Sequence, residues 1–201
     1  MRLAQNFARS INLRHFAPTQ ESSMKLLRRL AIGFVVLIGL LIVVGAFLPS
    51  AYMVERKLLI EAPVAAIHPL IDDLEQWPRW SPWKDGDPSL VVTIPGQKAG
   101  AGAHQTWVGD QGKGELTLTA SAPDSGVEYD MVFDDAFHAQ GALGYAPNGN
   151  TTEVTWAMKG DNGWNIMGRY FGLFMDTMIG PMFDAGLSKL KAAAETAHKA
   201  Q

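Results

Sequence analysis

A stretch near the C-terminus carries the pattern that most restricts the fold of this chain. Between residues 163 and 197, apolar side chains recur every three to four positions, which is the spacing of one face of an α-helix. Three phenylalanines and four methionines lie on that face. A helix with so much aromatic and methionine surface must pack against a large apolar partner. We expect that partner to be a β-sheet built from the preceding residues.

An uncharged apolar run of 19 residues extends from Leu30 to Leu48. As a helix it would span about 28 Å, close to the roughly 30 Å of a bilayer's hydrocarbon core. Lys25, Arg28 and Arg29 precede it, which favours a cytoplasmic N-terminus. We expect a single-pass anchor in the inner membrane of a bacterium, with the C-terminal domain in the periplasm. A cleaved signal peptide is the alternative.

The charges divide the chain into three parts: a basic segment at residues 1–29, the apolar helix at 30–48 and a body at 50–199. The basic segment holds six Lys or Arg and one Glu, whereas the body holds eleven basic and nineteen acidic residues. An acidic body without a basic stripe excludes a nucleic-acid partner. Met24 opens a Met-Lys-Leu-Leu-Arg-Arg motif, so residues 1–23 are either a mis-assigned start or a disordered tail.

Alternation of apolar and polar residues predicts β-strands in the body. A first strand covers residues 52–61, and further alternating segments fill residues 90–159. Turn-forming residues at 109–112, 123–126 and 147–150 separate them, which predicts an antiparallel meander of about six strands. The strands should direct Val54, Leu58 and Ile60, then Leu116, Leu118 and Ala120, toward the core.

Between the first strand and the meander, the residues predict short helices. Pro63 suits the first position of a helix, and Pro69 cannot lie undisturbed inside a single one. We expect two short helices, or one kinked helix, over residues 64–76. Three tryptophans and two prolines follow within residues 77–83, which we call the tryptophan segment. It either plugs one end of the core or forms the rim of a pocket. The element order predicts an α+β fold.

Several motifs in this order resemble one known superfamily. They are Phe47-Leu48-Pro49-Ser50, Glu61-Ala62-Pro63, the tryptophan segment and the glycine- and aromatic-rich residues 168–176. The chain resembles the START-like SRPBCC superfamily, and in particular its membrane-anchored polyketide cyclase/dehydrase and lipid-transport members. The resemblance covers about residues 47–194. It implies the helix-grip fold, in which a curved antiparallel sheet of six to seven strands wraps a long C-terminal helix and leaves a cavity between them.

A straight C-terminal helix over residues 166–198 would be about 50 Å long, longer than a domain of this size is wide. We expect Gly180-Pro181 to bend it. The part at residues 166–179 would then cap the cavity near the tryptophan segment, and the part at 181–197 would pack on the core.

The residues offer no catalytic motif. Patterns typical of serine hydrolases, zinc proteases and nucleotide-binding loops are missing from the sequence, and it has no cysteine. We expect His68, His104 and His138 to face solvent, and the adjacent pairs Asp72-Asp73 and Asp134-Asp135 to diverge. We therefore predict no metal and no cofactor, and the superfamily supplies no universal catalytic residue to transfer.

The expected cavity lining consists of inward-facing aromatic and methionine side chains from the tryptophan segment, the strands and the C-terminal helix. These candidate ligand-binding residues are Trp80, Trp83, Trp107, Tyr129, Met131, Tyr145, Trp156, Met167, Tyr170, Phe171, Phe174 and Met178. The leading hypothesis is a membrane-tethered domain that binds a lipid or other hydrophobic small molecule. The alternatives are a cyclase or dehydratase using a tyrosine or Asp176 for proton transfer, and a ligand-free scaffold of the cell envelope.

Overall fold

The computed structural model describes residues 20–200, which form two compact units that meet between Val44 and Gly45. The first unit consists of most of helix α1 (Gln20–Phe47). Within the described residues, Ser23–Phe47 is long and apolar enough to cross a membrane, although a signal sequence meets the same criteria. The expectation for residues 1–23 falls mostly on residues 1–19, outside the described part, while the remaining four residues begin α1.

The second unit contains seven strands and five further helical segments. Its elements in chain order are β1 (Ala51–Ile60), α2 (Val64–Asp72), a 3₁₀ helix (Leu74–Arg79), α3 (Trp83–Gly86), β2 (Val91–Thr93), β3 (His104–Gly109), β4 (Gly112–Ala122), β5 (Gly126–Phe133), β6 (Phe137–Asn148), β7 (Thr151–Asp161), α4 (Ile166–Gly172) and α5 (Met175–Lys199).

All seven strands form one antiparallel sheet in the order β1-β7-β6-β5-β4-β3-β2. Strands β2 to β7 are the predicted meander, and β1 joins its last strand. The helices cover one face of this sheet, and α5 packs along β1 and β7. The α+β helix-grip fold predicted from the sequence is confirmed.

Alternation along the strands places the predicted side chains in the core, with one exception. In β1, Val54 and Ile60 are fully buried and Leu58 is half-buried. In β4, Leu116 and Leu118 are buried, but the register with β5 shifts between Leu118 and Ala120. This bulge inserts one extra residue and reverses the alternation, so Ala120 is exposed and its predicted inward position is wrong.

Residues 64–79 form two short helices in place of one continuous helix, as the sequence predicted. Helix α2 contains Pro69 and ends at Asp72. Asp73 then caps the 3₁₀ helix by accepting a hydrogen bond from the Glu75 backbone N–H at 2.9 Å. Together they place Ile67, Ile71 and Leu74 fully in the core.

The C-terminal stretch forms two helices. Helix α4 ends at Gly172 and α5 begins at Met175, whereas Pro181 lies inside the continuous helix α5. The sequence did not predict the interruption at Leu173 and Phe174, and the bend expected at Gly180-Pro181 stays a prediction. Proline removes only one backbone hydrogen bond there, and the flanking Gly180 and Phe183 are buried against the sheet, which keeps α5 continuous.

Candidate functional site

Aromatic rings fill the space between the centre of the sheet and α5. The rings of Trp156 and Phe183 stack with centroids 4.0 Å apart, and Trp80 meets Trp156 edge-on at 5.4 Å. Trp80 donates its indole N–H to the Leu70 carbonyl at 2.7 Å, and Trp156 donates to the Tyr129 hydroxyl at 3.0 Å. All of these side chains are buried. They fill the centre of the predicted cavity, and the tryptophan segment serves there as a plug.

The candidate residues of the C-terminal stretch lie elsewhere. Met167, Phe171, Phe174 and Met178 are between 55% and 68% exposed, so they do not face the sheet, and their expected inward orientation is wrong. Tyr170 is half-buried beside Gly45. The tryptophan segment instead contacts the middle of α5, where Pro82 approaches Gly186, so the expected cap at residues 166–179 is also wrong.

The remaining candidates are half-buried along the sheet or beside its core. Trp83 meets Trp156 edge-on with centroids 6.2 Å apart, and Trp107 lies beside Phe133. Met131 is half-buried in β5. The structure thus separates the twelve candidates into three groups by exposure. The central aromatic residues are buried, a second group is half-buried, and four residues near α4 are exposed. Their role in ligand binding stays a prediction.

The expectation that His68 faces solvent is wrong, because His68 contacts Tyr145. The Tyr145 hydroxyl lies 3.1 Å from Nδ1 of His68, which is part-buried on α2 and does not lie on the open surface as expected. Burial raises the pKa of Tyr145, and the negative charge of Asp72 adds to that rise. His104, by contrast, is on the outer face, where its Nδ1 lies 2.9 Å from the Thr117 hydroxyl, and His138 is exposed as expected.

The sheet opens between β6 and β7 at one end. Pairing of these two strands stops at Gln140 and Lys159. Beyond that point β6 continues to pair with β5 as far as Phe137, while β7 continues to pair with β1 as far as Asp161. The sheet therefore splits into two strand pairs, β5 with β6 and β1 with β7, and the gap between them exposes part of its inner face.

A hollow of about 600 Å³ occupies this split end. That volume lies within the range of small-molecule sites in proteins. Its apolar part comes from β1, β5 and β6, and its polar rim carries both charges. The lining residues are Ala51, Tyr52, Asp130, Met131, Val132, His138, Ala139, Gln140, Lys159, Gly160 and Asp161. We call this the split-end hollow.

Tyr52 is the distinctive residue of the split-end hollow. It is only 8% exposed, and its ring stacks on Phe137 with centroids 5.8 Å apart. Its buried hydroxyl has no hydrogen-bond partner among the described residues. Gly160 leaves room for this hydroxyl, since a methyl group at that position would overlap it. Burial raises the pKa of Tyr52 to about 12, so the phenol is neutral at physiological pH and can donate a hydrogen bond.

An ion-pair cluster lies farther along β1. Arg56 donates to Asp176 at 2.7 Å and to Asp184 at 3.2 Å, and its side chain is partly buried. The hydrogen bond from Arg56 lowers the pKa of the Asp176 carboxyl. A carboxylate held in this ion pair is a poor general acid, and this argues against the role considered for Asp176. Within residues 20–200, no three His, Asp or Glu side chains converge on a possible metal site.

Of the residues that line the split-end hollow, sequence reasoning named only Met131 as a ligand-binding candidate and missed the others. Tyr52 shares inward parity with Val54, which was the available signal. The opening itself depends on where the pairing of β6 and β7 stops, and neither strand's sequence marks that position.

The fold defines a helix-grip domain of the START-like class, with an apolar helix before it. The chain belongs to the family described as polyketide cyclase / dehydrase and lipid transport, whose model matches residues 53–195. No curated protein sequence matches the chain significantly.

Solved structures share the fold at low sequence identity. A Staphylococcus aureus protein of unknown function aligns with a TM-score of 0.56 and 10% identity, over 74% of this chain and 96% of that one. A Thermobifida fusca protein gives 0.55 and 20%, over 72% and 94%. A point mutant of norcoclaurine synthase from Thalictrum flavum, solved with a transition-state analogue, gives 0.55 and 12%, over 73% and 96%.

Proposed function

We propose that this protein is a membrane-tethered START-like domain that binds a lipid or another hydrophobic small molecule in the split-end hollow. The observation that carries the proposal is the Tyr52 hydroxyl, which is buried beside the hollow without a partner. Leaving a buried hydroxyl unpaired costs about 1–3 kcal/mol. A ligand that accepts its hydrogen bond removes that cost, which favours the bound state.

The lining suits an amphiphilic ligand. Tyr52, Met131 and Ala139 offer apolar contact, while Lys159 and His138 stand at the rim where an anionic or polar head group would remain hydrated. Each buried methylene contributes about 0.8 kcal/mol, and association costs at least about 4 kcal/mol. About fifteen buried acyl carbons, worth about 12 kcal/mol together, are therefore needed for micromolar affinity. This estimate favours a single-chain amphiphile over a small polar metabolite.

The position of the hollow in the chain supports a link to the membrane. Only three residues separate Leu48, at the end of the apolar run, from Tyr52. Four residue steps span at most about 14 Å. If α1 is retained as an anchor, Tyr52 therefore lies no more than about 14 Å from the end of the apolar run. A lipid then needs to move only a short distance between the bilayer and the hollow.

The binding experiment uses the full chain, purified in detergent, delipidated and titrated with a fluorescent fatty acid. We expect a saturable site with micromolar affinity. Ala139→Leu should fill the hollow and weaken binding at least about tenfold, because even the loss of 1.4 kcal/mol corresponds to that factor. Ala142→Leu is the matched control, since Ala142 lies three residues along β6 on the outer face.

Equal binding by the Ala139→Leu and Ala142→Leu variants would place the ligand outside the hollow. If the full chain binds no apolar ligand of any class, the protein is not a binder, and the scaffold hypothesis gains support. The tether is tested separately by alkaline carbonate extraction of membranes from expressing cells. Retention of the full-length chain is expected, and release of a shorter chain would indicate a cleaved signal sequence.

A further inference from the structure

The body has a concentrated apolar surface around α4. It consists of large side chains that are each between 53% and 85% exposed. These residues are Trp164, Met167, Phe171, Leu173, Phe174 and Met178, and we call them the α4 surface. Single exposed apolar residues are ordinary, but a group of six within fifteen residues marks a surface that contacts an apolar partner.

The opposite side of the same segment packs on the body. Ile166 and Tyr170 approach Gly45, and Gly172 lies against Tyr52. Met175 is buried at the start of α5. Both sides of the segment are therefore apolar, one against the body and one toward solvent. The inward side already supplies the packing contacts that hold this segment on the body. Folding therefore does not require the α4 surface to be apolar.

The α4 surface is fastened to the last residues of the apolar run. Arg169 Nη1 donates to the carbonyl of Ala46 at 2.6 Å and to that of Leu48 at 3.2 Å. A methyl group at Gly45 would overlap Ile166 and Tyr170. Residues 45–48 belong to the same compact unit as α4. The α4 surface therefore lies level with the position at which the apolar run ends.

The composition of the α4 surface suits the boundary between acyl chains and head groups. Tryptophan is enriched at that boundary, and phenylalanine and leucine are typical of the apolar side of interfacial helices. The guanidinium of Arg169 lies over the Trp164 ring at 5.4 Å, which places a cation beside the ring. The nearby acid Asp176 is paired with Arg56.

We propose that the α4 surface is embedded in the interfacial layer of the bilayer that anchors the chain. The body then contacts the membrane directly and is not held away from it by a flexible linker. This inference rests on the proposed membrane tether and is independent of ligand binding in the split-end hollow. A bilayer is favoured over a second copy of the chain because the surface is continuous with the end of the apolar run.

The absence of cysteine in the chain permits a direct test. Phe171→Cys in the full chain is labelled with an environment-sensitive fluorophore and reconstituted into phosphatidylcholine–phosphatidylglycerol vesicles that carry nitroxide lipids. Ser125→Cys, exposed in the turn between β4 and β5, is the matched control. We expect nitroxides near the head group to quench the label at residue 171 several-fold more than the label at residue 125.

Equal quenching at the two positions would overturn the proposal. The label at residue 171 could instead be shielded from water, unquenched by lipid nitroxides and dependent in its emission on protein density. That result would assign the surface to contact with a second copy of the chain and would also overturn the proposal. Carbonate extraction of the same vesicles identifies a failed tether, because the chain is then washed off. Ligand titration is read separately and does not affect either result.

A second variant separates docking from folding. Phe171→Glu with Phe174→Glu, read out through a label at Met167→Cys, should lose most of the lipid quenching. The chain should remain carbonate-resistant with an unchanged melting temperature, because both phenylalanines are exposed. Retained quenching in this variant would contradict the proposal.

Discussion

Phe183 of α5 lies flat against Trp156 of β7, with ring centroids 4.0 Å apart and ring planes within 3° of each other. This stack joins the C-terminal helix to the centre of the sheet. It also occupies the position where a central cavity was expected, and it explains why the hollow lies at the split end of the sheet.

Removing the Phe183 ring should therefore create a cavity in the core. Phe183→Ala is expected to lower the free energy of unfolding by about 3–5 kcal/mol, because the side chain is fully buried. Phe183→Leu should cost less, since it retains most of the apolar volume. Urea denaturation measures both. A loss below about 1 kcal/mol for the alanine variant would mean that the stack is not a core contact.

Gly180 and Arg56 should be energetically coupled. A methyl group at Gly180 would overlap the Arg56 guanidinium, which Asp176 and Asp184 hold in place. We expect Gly180→Ala to cost about 1 kcal/mol through this overlap. In an Arg56→Ala background the same change should instead stabilise by up to about 1 kcal/mol, because alanine favours helix over glycine. A double-mutant cycle measured by denaturation checks the change of sign. The same sign in both backgrounds would contradict the contact.

Tyr52 and Tyr129 should respond differently to loss of the hydroxyl. Tyr129→Phe leaves the buried Trp156 N–H without an acceptor and should cost about 1–3 kcal/mol. Tyr52→Phe removes an unpaired hydroxyl and should leave stability unchanged or slightly higher, while weakening ligand binding by about two- to tenfold. Denaturation and fatty-acid titration measure these effects. A large loss of stability in Tyr52→Phe would indicate a structural partner for the hydroxyl.

Asp87 should contribute to the acid sensitivity of the fold. Its carboxylate accepts hydrogen bonds from the Ser89 hydroxyl and from the backbone N–H groups of Ser89 and Gln111. These bonds, with the Ser89 hydroxyl contributing most, lower the pKa of Asp87 below its usual 3.8. The stabilisation is therefore complete above the unfolded-state pKa and disappears as the pH falls through the folded-state pKa.

Melting temperatures between neutral pH and pH 2.5 test this account of Asp87. Asp87→Asn should be less stable than the wild type at neutral pH, and the difference should shrink below about pH 4. Asp124→Asn, in the exposed turn before β5, is the control and should follow the wild type throughout. A constant difference at every pH would show that the charge of Asp87 is not responsible.

The sequence was sufficient to predict an α+β fold with an antiparallel meander because its periodicities are strong, and the family resemblance added the helix-grip arrangement. Alternation in β1, β5 and β7 and the turn residues between the strands determine the sheet. The register shift at Leu118 and Ala120 was not predictable, because a bulge depends on cross-strand pairing that an isolated strand does not reveal.

The site was harder to predict than the fold. Periodicity identified an apolar helical side containing Phe171 and Met178, but it does not indicate whether that side faces a sheet or another apolar surface. The break at Leu173 and Phe174 carries no proline, whereas Pro181 does not break α5. Tyr52 was visible as an inward residue, but the gap that leaves its hydroxyl unpaired arises from strand pairing far away in the chain.

The most direct test of the central claim is to map the ligand covalently on the full chain. A fatty acid with a photoreactive group on its acyl chain is bound, irradiated and located by peptide mass spectrometry. Binding in the split-end hollow predicts adducts on the peptides that contain Tyr52, Met131 and Ala139, with loss of these adducts in Ala139→Leu but not in Ala142→Leu. Adducts confined to the peptides of Trp156 and Phe183, or to no defined position, would contradict it.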